Sequence, residues 1–214
     1  MRIRHIILYG FMLLTATAPA IAADLNTGEK ELFNSINHRR QLSKGAILIA
    51  GRNLNDLNFS RSVVLITEYN ELGTTGLIIN RPLNMAAKKV FPQINQITPE
   101  AGNLFVGGPV GVNNLQILVE TGEQLLQNES LTGDLYLINN PRSFNSLTKH
   151  EDSDMKLRIY VGYAGWGAGQ LESEIIRGDW HIWRVDSEMI FSEQPEHLWL
   201  ELIELVTVQW AGYN

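Results

Sequence analysis

The sequence predicts a compact single domain of the α+β class, in which helices flank a sheet. A chain of 214 residues, 44% of them hydrophobic, is long enough to bury one ordinary core. Apolar segments of strand length come in runs, and helical patterns are interspersed among them. This grouping favours the α+β class over a regular βαβ repeat.

The first 22 residues have the pattern of a secretory signal peptide. Arg2 and Arg4 precede the apolar run IILYGFMLL, and small residues stand at Ala20 and Ala22. This order predicts cleavage after Ala22 and a periplasmic protein. An uncleaved anchor is the alternative, but the run is shorter than the roughly 20 residues that a spanning helix needs. No other stretch is apolar enough to span a membrane.

Composition excludes several classes of function. Removing residues 1–22 removes two arginines and no acids, so the 17 basic residues become 15 against 23 acids, and the net charge is near −8. An acidic surface repels phosphate backbones, so no nucleic-acid partner is expected. The chain has no cysteine, which excludes disulfides, zinc–thiolate sites and thiol catalysis.

The first half of the chain contains three apolar segments of strand length. Residues 23–44 are predicted to be an N-terminal extension with a short amphipathic helix over 27–40. Two of the three segments flank the turn EYNELGTT and predict a hairpin. Asn84 is expected to cap a short helix that ends before Pro92. The predicted strands are AILIA at 46–50, SVVLIT at 62–67 and GLIIN at 76–80.

The second half of the chain repeats this mixture of strands and helices. LFVGGPV at 104–110 ends a strand in a turn made by Gly107, Gly108 and Pro109. A final helix is expected to begin at Pro195, with Leu198, Leu202 and Leu205 facing the core. The other expected elements are strands at 115–120, 135–139, 157–163 and 180–185, and helices at 140–150 and 170–177.

The stretch VGYAGWGAGQLESEI at 161–175 has the outline of a phosphate site, because a strand and a glycine loop precede a helix. Its G-x-G-x-G spacing differs from the dinucleotide pattern G-x-G-x-x-G, and no Gly-Lys-Ser/Thr follows. Glu172 and Glu174 occupy the first turn, where they would repel a phosphate. Glu172 is expected to bond back to the amide of Gly169.

We therefore interpret the glycines as structural, needed for close backbone packing or positive φ. Tyr163 and Trp166 would pack near them, and no cofactor is expected. The alternative is a neutral or cationic ligand held on Trp166 and the neighbouring acids. The predicted structural glycines of this stretch are Gly162, Gly165, Gly167 and Gly169.

Catalytic and metal-binding patterns are absent from the sequence. The histidines of the mature chain lack a metal-ligand spacing such as H-E-x-x-H, so no metal site is expected. No serine stands in a G-x-S-x-G elbow. The segment NLNDLN at 53–58 lacks the EF-hand pattern and favours a turn held by side-chain to backbone bonds.

Three stretches together resemble the bacterial YqgE/AlgH family, from about Gly45 to about Asn214. The resemblance implies a compact α+β fold built round a mostly antiparallel sheet. It implies no established molecular function, although the AlgH name carries a regulatory link to exopolysaccharide production. The stretches are GAILIAGRNLNDLNFSRSVVLITEYNELGTTGLIINRPL, LFVGGPV and YVGYAGWGAGQLESEIIRGDW.

The chain departs from the pattern of this family at several positions. Gly51-Arg52 replaces a usual Met-Pro, and Leu57 replaces a proline after Asp56. Tyr69 and Val119 stand where the family commonly has histidines. Chemistry that depended on those histidines is therefore not expected here. Export is a further departure, because family members generally look cytosolic.

The sequence favours a non-catalytic, exported binding or interaction protein with an unidentified protein or small-molecule partner. The expected contact surface is the loop 163–170 with the neighbouring loops 51–61 and 107–110. One alternative is a hydrolase that uses acidic loop residues, and another is a cytosolic transcriptional regulator, as the family name implies. The candidate contact residues are Tyr163, Trp166, Gln170, Glu172, Asp56 and Arg61.

Overall fold

A computed structural model describes residues 42–90, 103–122, 130–139, 155–184 and 187–211, all within one compact unit, His38–Asn214. The helices predicted over 27–40 and 140–150 lie outside the described residues. Ten strands join in one sheet in the described part of the chain. The strands are β1 (Ile47–Ala50), β2 (Val63–Asn70), β3 (Gly73–Ile78), β4 (Pro82–Ala86), β5 (Asn103–Val106), β6 (Val110–Glu120), β7 (Ser130–Thr132), β8 (Leu135–Ile138), β9 (Lys156–Gly167) and β10 (Trp180–Trp183).

The sheet is mostly antiparallel, and its main path runs β10-β1-β2-β3-β9-β6-β8-β7. One edge of β9 is shared by two strands, because β5 pairs in parallel with residues 159–161 and β3 pairs antiparallel with residues 164–167. The other edge of β9 pairs with β6. The long strand β9 therefore links the two halves of the sheet.

Helices are few in the described residues, so the domain is more sheet than helix. A 3-10 turn at Pro195–His197 leads into the longest helix. No helix among the described residues is long and apolar enough to cross a membrane. The helices are α1 (Ala87–Val90), α2 (Gln170–Ile176), α3 (Ser187–Ile190) and α4 (Leu198–Ala211).

Both faces of the sheet centre are buried, which explains the continuous apolar runs of β1 and β2. Alternate residues of each strand belong to two separate core clusters. α4 covers one face with Leu202 and Ile203, each burial contributing about 1.5–3 kcal/mol. α2 and the loop between β1 and β2 cover the other face, through Leu171 and Phe59.

The hairpin predicted at 62–80 is confirmed as β2 and β3. The helix predicted from Asn84 is wrong at its start, because Asn84 lies within β4 and α1 begins at Ala87. Leu205 was expected to face the core but is 52% exposed, whereas Val206 is buried. Leu198, Leu202 and Val206 follow the i, i+4, i+8 spacing of one helix face, and Leu205 lies to the side of that face.

The end of the glycine-rich stretch is strand rather than loop. β9 continues through Trp166 to Gly167, where β3 supplies its partner residues down to Gly73. Glycine disfavours strands on its own, so pairing with β3 overrides the local preference. The strand predicted to end at the turn of Gly107, Gly108 and Pro109 is confirmed as β5, which ends at Val106. The strand predicted at 115–120 is longer than expected, because β6 begins at Val110.

Candidate functional site

Two glycine segments that are far apart in sequence meet where the chain crosses β9. A Cβ added to Gly107 would lie 2.3 Å from the carbonyl oxygen of Gly162, and one added to Gly108 would lie 2.2 Å from the carbonyl carbon of Tyr163. Gly162 has a φ of 70°, and its Cβ would lie 2.4 Å from the carbonyl oxygen of Gly108. Side chains have no room at these three positions, so glycine is required there.

Pro109 and Val110 lead from this crossing into β6. Both are exposed, and Val110 pairs with Tyr163 of β9. Tyr163 is half-buried, and its ring lies 3.5 Å from the position that a Cβ on Gly165 would occupy. Tyr163 and Val110 therefore lie beside the exposed end of β9.

Gly165 and Gly167 are exposed, and the fold does not require glycine at either position. Neither has a positive φ. A Cβ on Gly165 would make ordinary contacts with Tyr163, and one on Gly167 would lie 3.9 Å from the side chain of Gln170. The strain or tight packing expected at these two glycines is wrong, because the close approach occurs at Gly162. Gly169, with a φ of 73°, is a conformational requirement at the start of α2.

Trp166 lies on the opposite face of β9 and is buried. Its ring stacks on Phe59 at 5.6 Å and meets Trp180 edge-on at 5.8 Å between centroids. Phe59 also contacts Trp180 edge-on. The prediction that Trp166 offers a contact surface is wrong, because alternation along the strand turns its side chain into the core.

Glu174 of α2 closes this aromatic cluster. Its Oε2 accepts hydrogen bonds from the indole Nε1 of Trp166, at 2.9 Å, and of Trp180, at 2.8 Å. Its Oε1 accepts a bond from the exposed Gln170, whose own Oε1 accepts the amide of Gly167 at 3.0 Å. From the sequence, Glu174 was expected to repel a phosphate, to hold a ligand or to serve a hydrolase, but it was not expected to accept hydrogen bonds from tryptophans. Its position between two tryptophans in the sequence was the available signal for this role.

Glu172 bonds to the sheet and not to the end of its own helix. Its Oε1 accepts a hydrogen bond of 2.8 Å from the hydroxyl of Tyr69 on β2. Gly169 is the N-cap of α2 and has no side-chain cap. The predicted bond from Glu172 to the Gly169 amide is therefore wrong, because Tyr69 supplies the donor. The carboxylate still lies in the first turn, where negative charge is favourable.

Asp56 shapes the loop between β1 and β2. Its Oδ1 accepts hydrogen bonds from the amides of Asn58, at 2.7 Å, and Phe59, at 3.0 Å. The guanidinium of Arg81 donates to the carbonyls of Asn58 and Ser60 in the same loop. Burial lowers the pKa of Arg81, and the charge of Asp56 opposes this effect. The turn predicted for NLNDLN is present, and Asp56 serves it.

Arg61 has an unusual backbone conformation in the same loop. Its φ of 55° makes it the one described residue other than glycine with a positive φ. The buried Asn80 holds this conformation, since its side-chain amide donates to the Arg61 carbonyl at 3.0 Å. The exposed guanidinium of Arg61 lies 5.8 Å from the ring of Trp199.

The predicted site residues therefore divide into two groups. One group is Trp166 alone, which is buried. The other group has exposed or half-buried side chains and consists of Tyr163, Gln170, Glu172, Asp56 and Arg61. Gln170, Glu172 and Asp56 also make hydrogen bonds within the fold. The three predicted loops do adjoin β9, through Phe59 on Trp166 and Gly108 on Gly162. Among the described residues no three histidines, aspartates or glutamates are grouped to hold a metal ion.

Comparison with known proteins identifies the family. A family model described as AlgH-like matches residues 47–211. The chain belongs to the AlgH-like family. The resemblance to the YqgE/AlgH family is thereby confirmed.

Relatives of this AlgH-like chain match most of its length. A UPF0301 protein of Cytophaga hutchinsonii is 34% identical over 164 residues, which cover 76% of this chain and 88% of that protein. Another, of Chlorobium chlorochromatii, is 32% identical over 168 residues, which cover 77% and 86%.

Two solved structures share the AlgH-like fold. A crystal structure of a Corynebacterium diphtheriae protein has a TM-score of 0.65 at 25% identity, covering 75% of this chain and 85% of that one. The solution structure of the AlgH protein of Pseudomonas aeruginosa has a TM-score of 0.58 at 29% identity, covering 74% and 85%.

Proposed function

We propose that this AlgH-like chain is a non-catalytic binding protein that contacts its partner at the exposed end of β9. The surface consists of Gly165 and Gly167, with Tyr163, Val110 and Gln170 around them. The observation that carries the proposal is that two exposed glycines stand where neither φ nor packing requires them. The partner is a protein or a small molecule.

Glycine within a strand has a cost that calls for a reason. It destabilises the strand by roughly 0.5–1 kcal/mol relative to alanine, because more backbone entropy is lost on folding. A strand glycine without an internal role often marks a place where a ligand or another backbone approaches closely. Gly165 and Gly167 lie on the side of β9 away from Trp166, so a partner there would meet bare backbone.

The arrangement of the acids supports binding over hydrolysis. The carboxylates of Glu172, Glu174 and Asp56 each accept hydrogen bonds from groups of the protein itself. A general acid or base must reach a substrate proton at hydrogen-bond distance. For these three acids, the hydrolase alternative would require the existing bonds to break first.

We also propose that the protein acts in the periplasm after cleavage following Ala22. The support is the charge, apolar run and Ala-x-Ala order of residues 1–22. The acidic composition favours a partner other than nucleic acid, and therefore disfavours the alternative of a cytosolic transcriptional regulator. The family name directs attention to exopolysaccharide production as the process in which the partner acts.

The test is a comparison of two valine variants in the native cell. Gly165→Val places a branched side chain on the proposed surface. Thr132→Val, the control, changes an exposed strand residue of β7 to the same residue outside the proposed surface. We expect Gly165→Val to alter secreted exopolysaccharide as a gene deletion does, with an undiminished Tm of the purified protein. The control should behave as wild type. Normal exopolysaccharide with Gly165→Val would refute the proposed surface.

A further inference from the structure

The hydroxyl group of Tyr160 is an unexplained polar atom in the core. Tyr160 lies in the middle of β9, is 0% exposed, and packs against Phe105 at 5.4 Å between ring centroids. Among the residues that the structure describes, none makes a hydrogen bond of normal geometry with its hydroxyl. Buried polar groups in native proteins are nearly always bonded, and an orphan indicates a missing water, ion or ligand.

Arg158, two residues earlier on β9, is the charged neighbour of this hydroxyl. Its N–H groups come close enough to lower the pKa of Tyr160, but they do not reach the geometry of a hydrogen bond to the hydroxyl. Its guanidinium lies 4.6 Å from the ring of Phe105 and donates to the carbonyls of Ile190, at 2.5 Å, and Ser192. A guanidinium has five N–H donors, so these two bonds leave three.

No acid in the described part of the chain neutralises the charge of Arg158 by direct contact. Within the described ranges, no carboxylate lies at ion-pair distance from it, and Glu196 attracts it only from farther away. Lys156, the next cation along the strand, is already paired with Glu120 at 2.8 Å. A partly buried charge is costly unless it is paired, so Arg158 has capacity for an anion.

We propose that Arg158 and Tyr160 bind the carboxylate group of a small molecule between β9 and the segment Ile190–Ser192. This site is separate from the proposed surface at Gly165 and Gly167 and does not depend on it. Arg158 supplies the charge and Tyr160 supplies a neutral donor. Arg158 is only partly buried, so its side chain extends from the buried hydroxyl of Tyr160 towards the solvent.

The chemistry of the two groups selects a singly charged, planar anion. Burial raises the pKa of Tyr160, with Arg158 opposing, so the hydroxyl remains a donor at neutral pH. A guanidinium matches the two oxygens of a carboxylate. A doubly charged phosphate would bring one charge more than Arg158 can neutralise.

A purely structural role explains only half of this arrangement. The hydrogen bonds to the carbonyls of Ile190 and Ser192 account for the position of Arg158. It does not account for the hydroxyl of Tyr160, because phenylalanine would fill the same space without an unbonded polar atom.

The test compares the purified full chain with its Tyr160→Phe variant, using acetate as the probe. Thermal unfolding is measured in sodium acetate, sodium phosphate and sodium chloride at matched ionic strength. We expect acetate to raise the Tm of the wild type saturably, and beyond the effect of phosphate or chloride. Without acetate, Tyr160→Phe should raise the Tm by a few degrees, because it removes the unbonded hydroxyl.

The decisive readout is the acetate response of the variant. Tyr160→Phe should lose it, and the control Tyr136→Phe, which changes another buried tyrosine, should keep it. An absent acetate response in the wild type, or an equal response in Tyr160→Phe, would overturn the site. A lower Tm of Tyr160→Phe without acetate would also overturn it, because the hydroxyl would then be bonded already.

Discussion

Among single residues, Glu174 accounts for the arrangement of two tryptophans. Trp166 comes from β9 and Trp180 from β10, and both indole N–H groups donate to the same carboxylate oxygen. Glu172, two residues earlier in the same helix, accepts one hydrogen bond within the described ranges, from the hydroxyl of Tyr69. The two glutamates therefore differ in how many donors depend on their charge.

This difference predicts that two glutamine substitutions will affect the free energy of unfolding to different extents. Glu174→Gln should lower the free energy of unfolding by about 1–2 kcal/mol, because the neutral amide oxygen is a weaker acceptor for two indole donors and the new NH2 group would face the amide of Gln170. Glu172→Gln should be nearly silent, since the amide oxygen still accepts from Tyr69. Urea denaturation of both variants measures the difference. Equal losses would mean that the indole bonds do not contribute as described.

The sequence could predict that some glycines allow close backbone packing, but it could not show which of them do. Gly162, Gly165 and Gly167 look alike in the stretch 161–175, and only the register of β9 against its neighbours separates them. Gly108 contacts Gly162 although 54 positions separate them in the sequence, and no local sequence pattern indicates that contact. Likewise, alternation in β9 could have placed Trp166 inward, had the stretch been predicted as strand.

At the scale of elements, the crossing over β9 predicts a matched pair of alanine variants. Gly162→Ala should lower the free energy of unfolding by about 3 kcal/mol or more, because its φ is positive and its Cβ would meet the Gly108 carbonyl oxygen. Gly165→Ala should leave stability unchanged or raise it by roughly 0.5–1 kcal/mol.

Calorimetric Tm values of the purified alanine variants decide between these outcomes. Both substitutions add one methyl group to the same strand, so hydrophobicity cancels in the comparison. A severe loss for Gly165→Ala would restore the structural role first predicted for that glycine. A mild effect for Gly162→Ala would mean that the crossing can relax.

At the scale of the whole molecule, the apolar runs predicted the strands of the sheet centre, because β1 and β2 are buried on both faces. The hairpin was predicted but its turn was placed too broadly, because β2 continues to Asn70 and β3 begins at Gly73. The sequence could not predict that β5 and β3 pair with the same edge of β9, because pairing between distant strands leaves no local sequence pattern. The prediction that the sheet is mostly antiparallel came from the family resemblance.

Export is a prediction about the whole chain. If residues 1–22 are a cleaved leader, the mature protein in the native cell should begin at Ala23 or within one or two residues of it. Intact-mass and N-terminal peptide spectrometry of the periplasmic fraction measures this directly. An intact Met1 on soluble cytoplasmic protein would contradict it and would revive the regulator alternative.

The edge-on contact of Trp166 with Trp180, at 5.8 Å and 82°, gives the protein an intrinsic spectroscopic probe. Two indoles at this separation couple their ultraviolet transitions, so near-ultraviolet circular dichroism follows the integrity of the cluster. Trp166 also stands between Gly165 and Gly167 along β9. A partner that settles on those glycines would shift the emission of the adjacent indole, and binding could be followed without attaching any label.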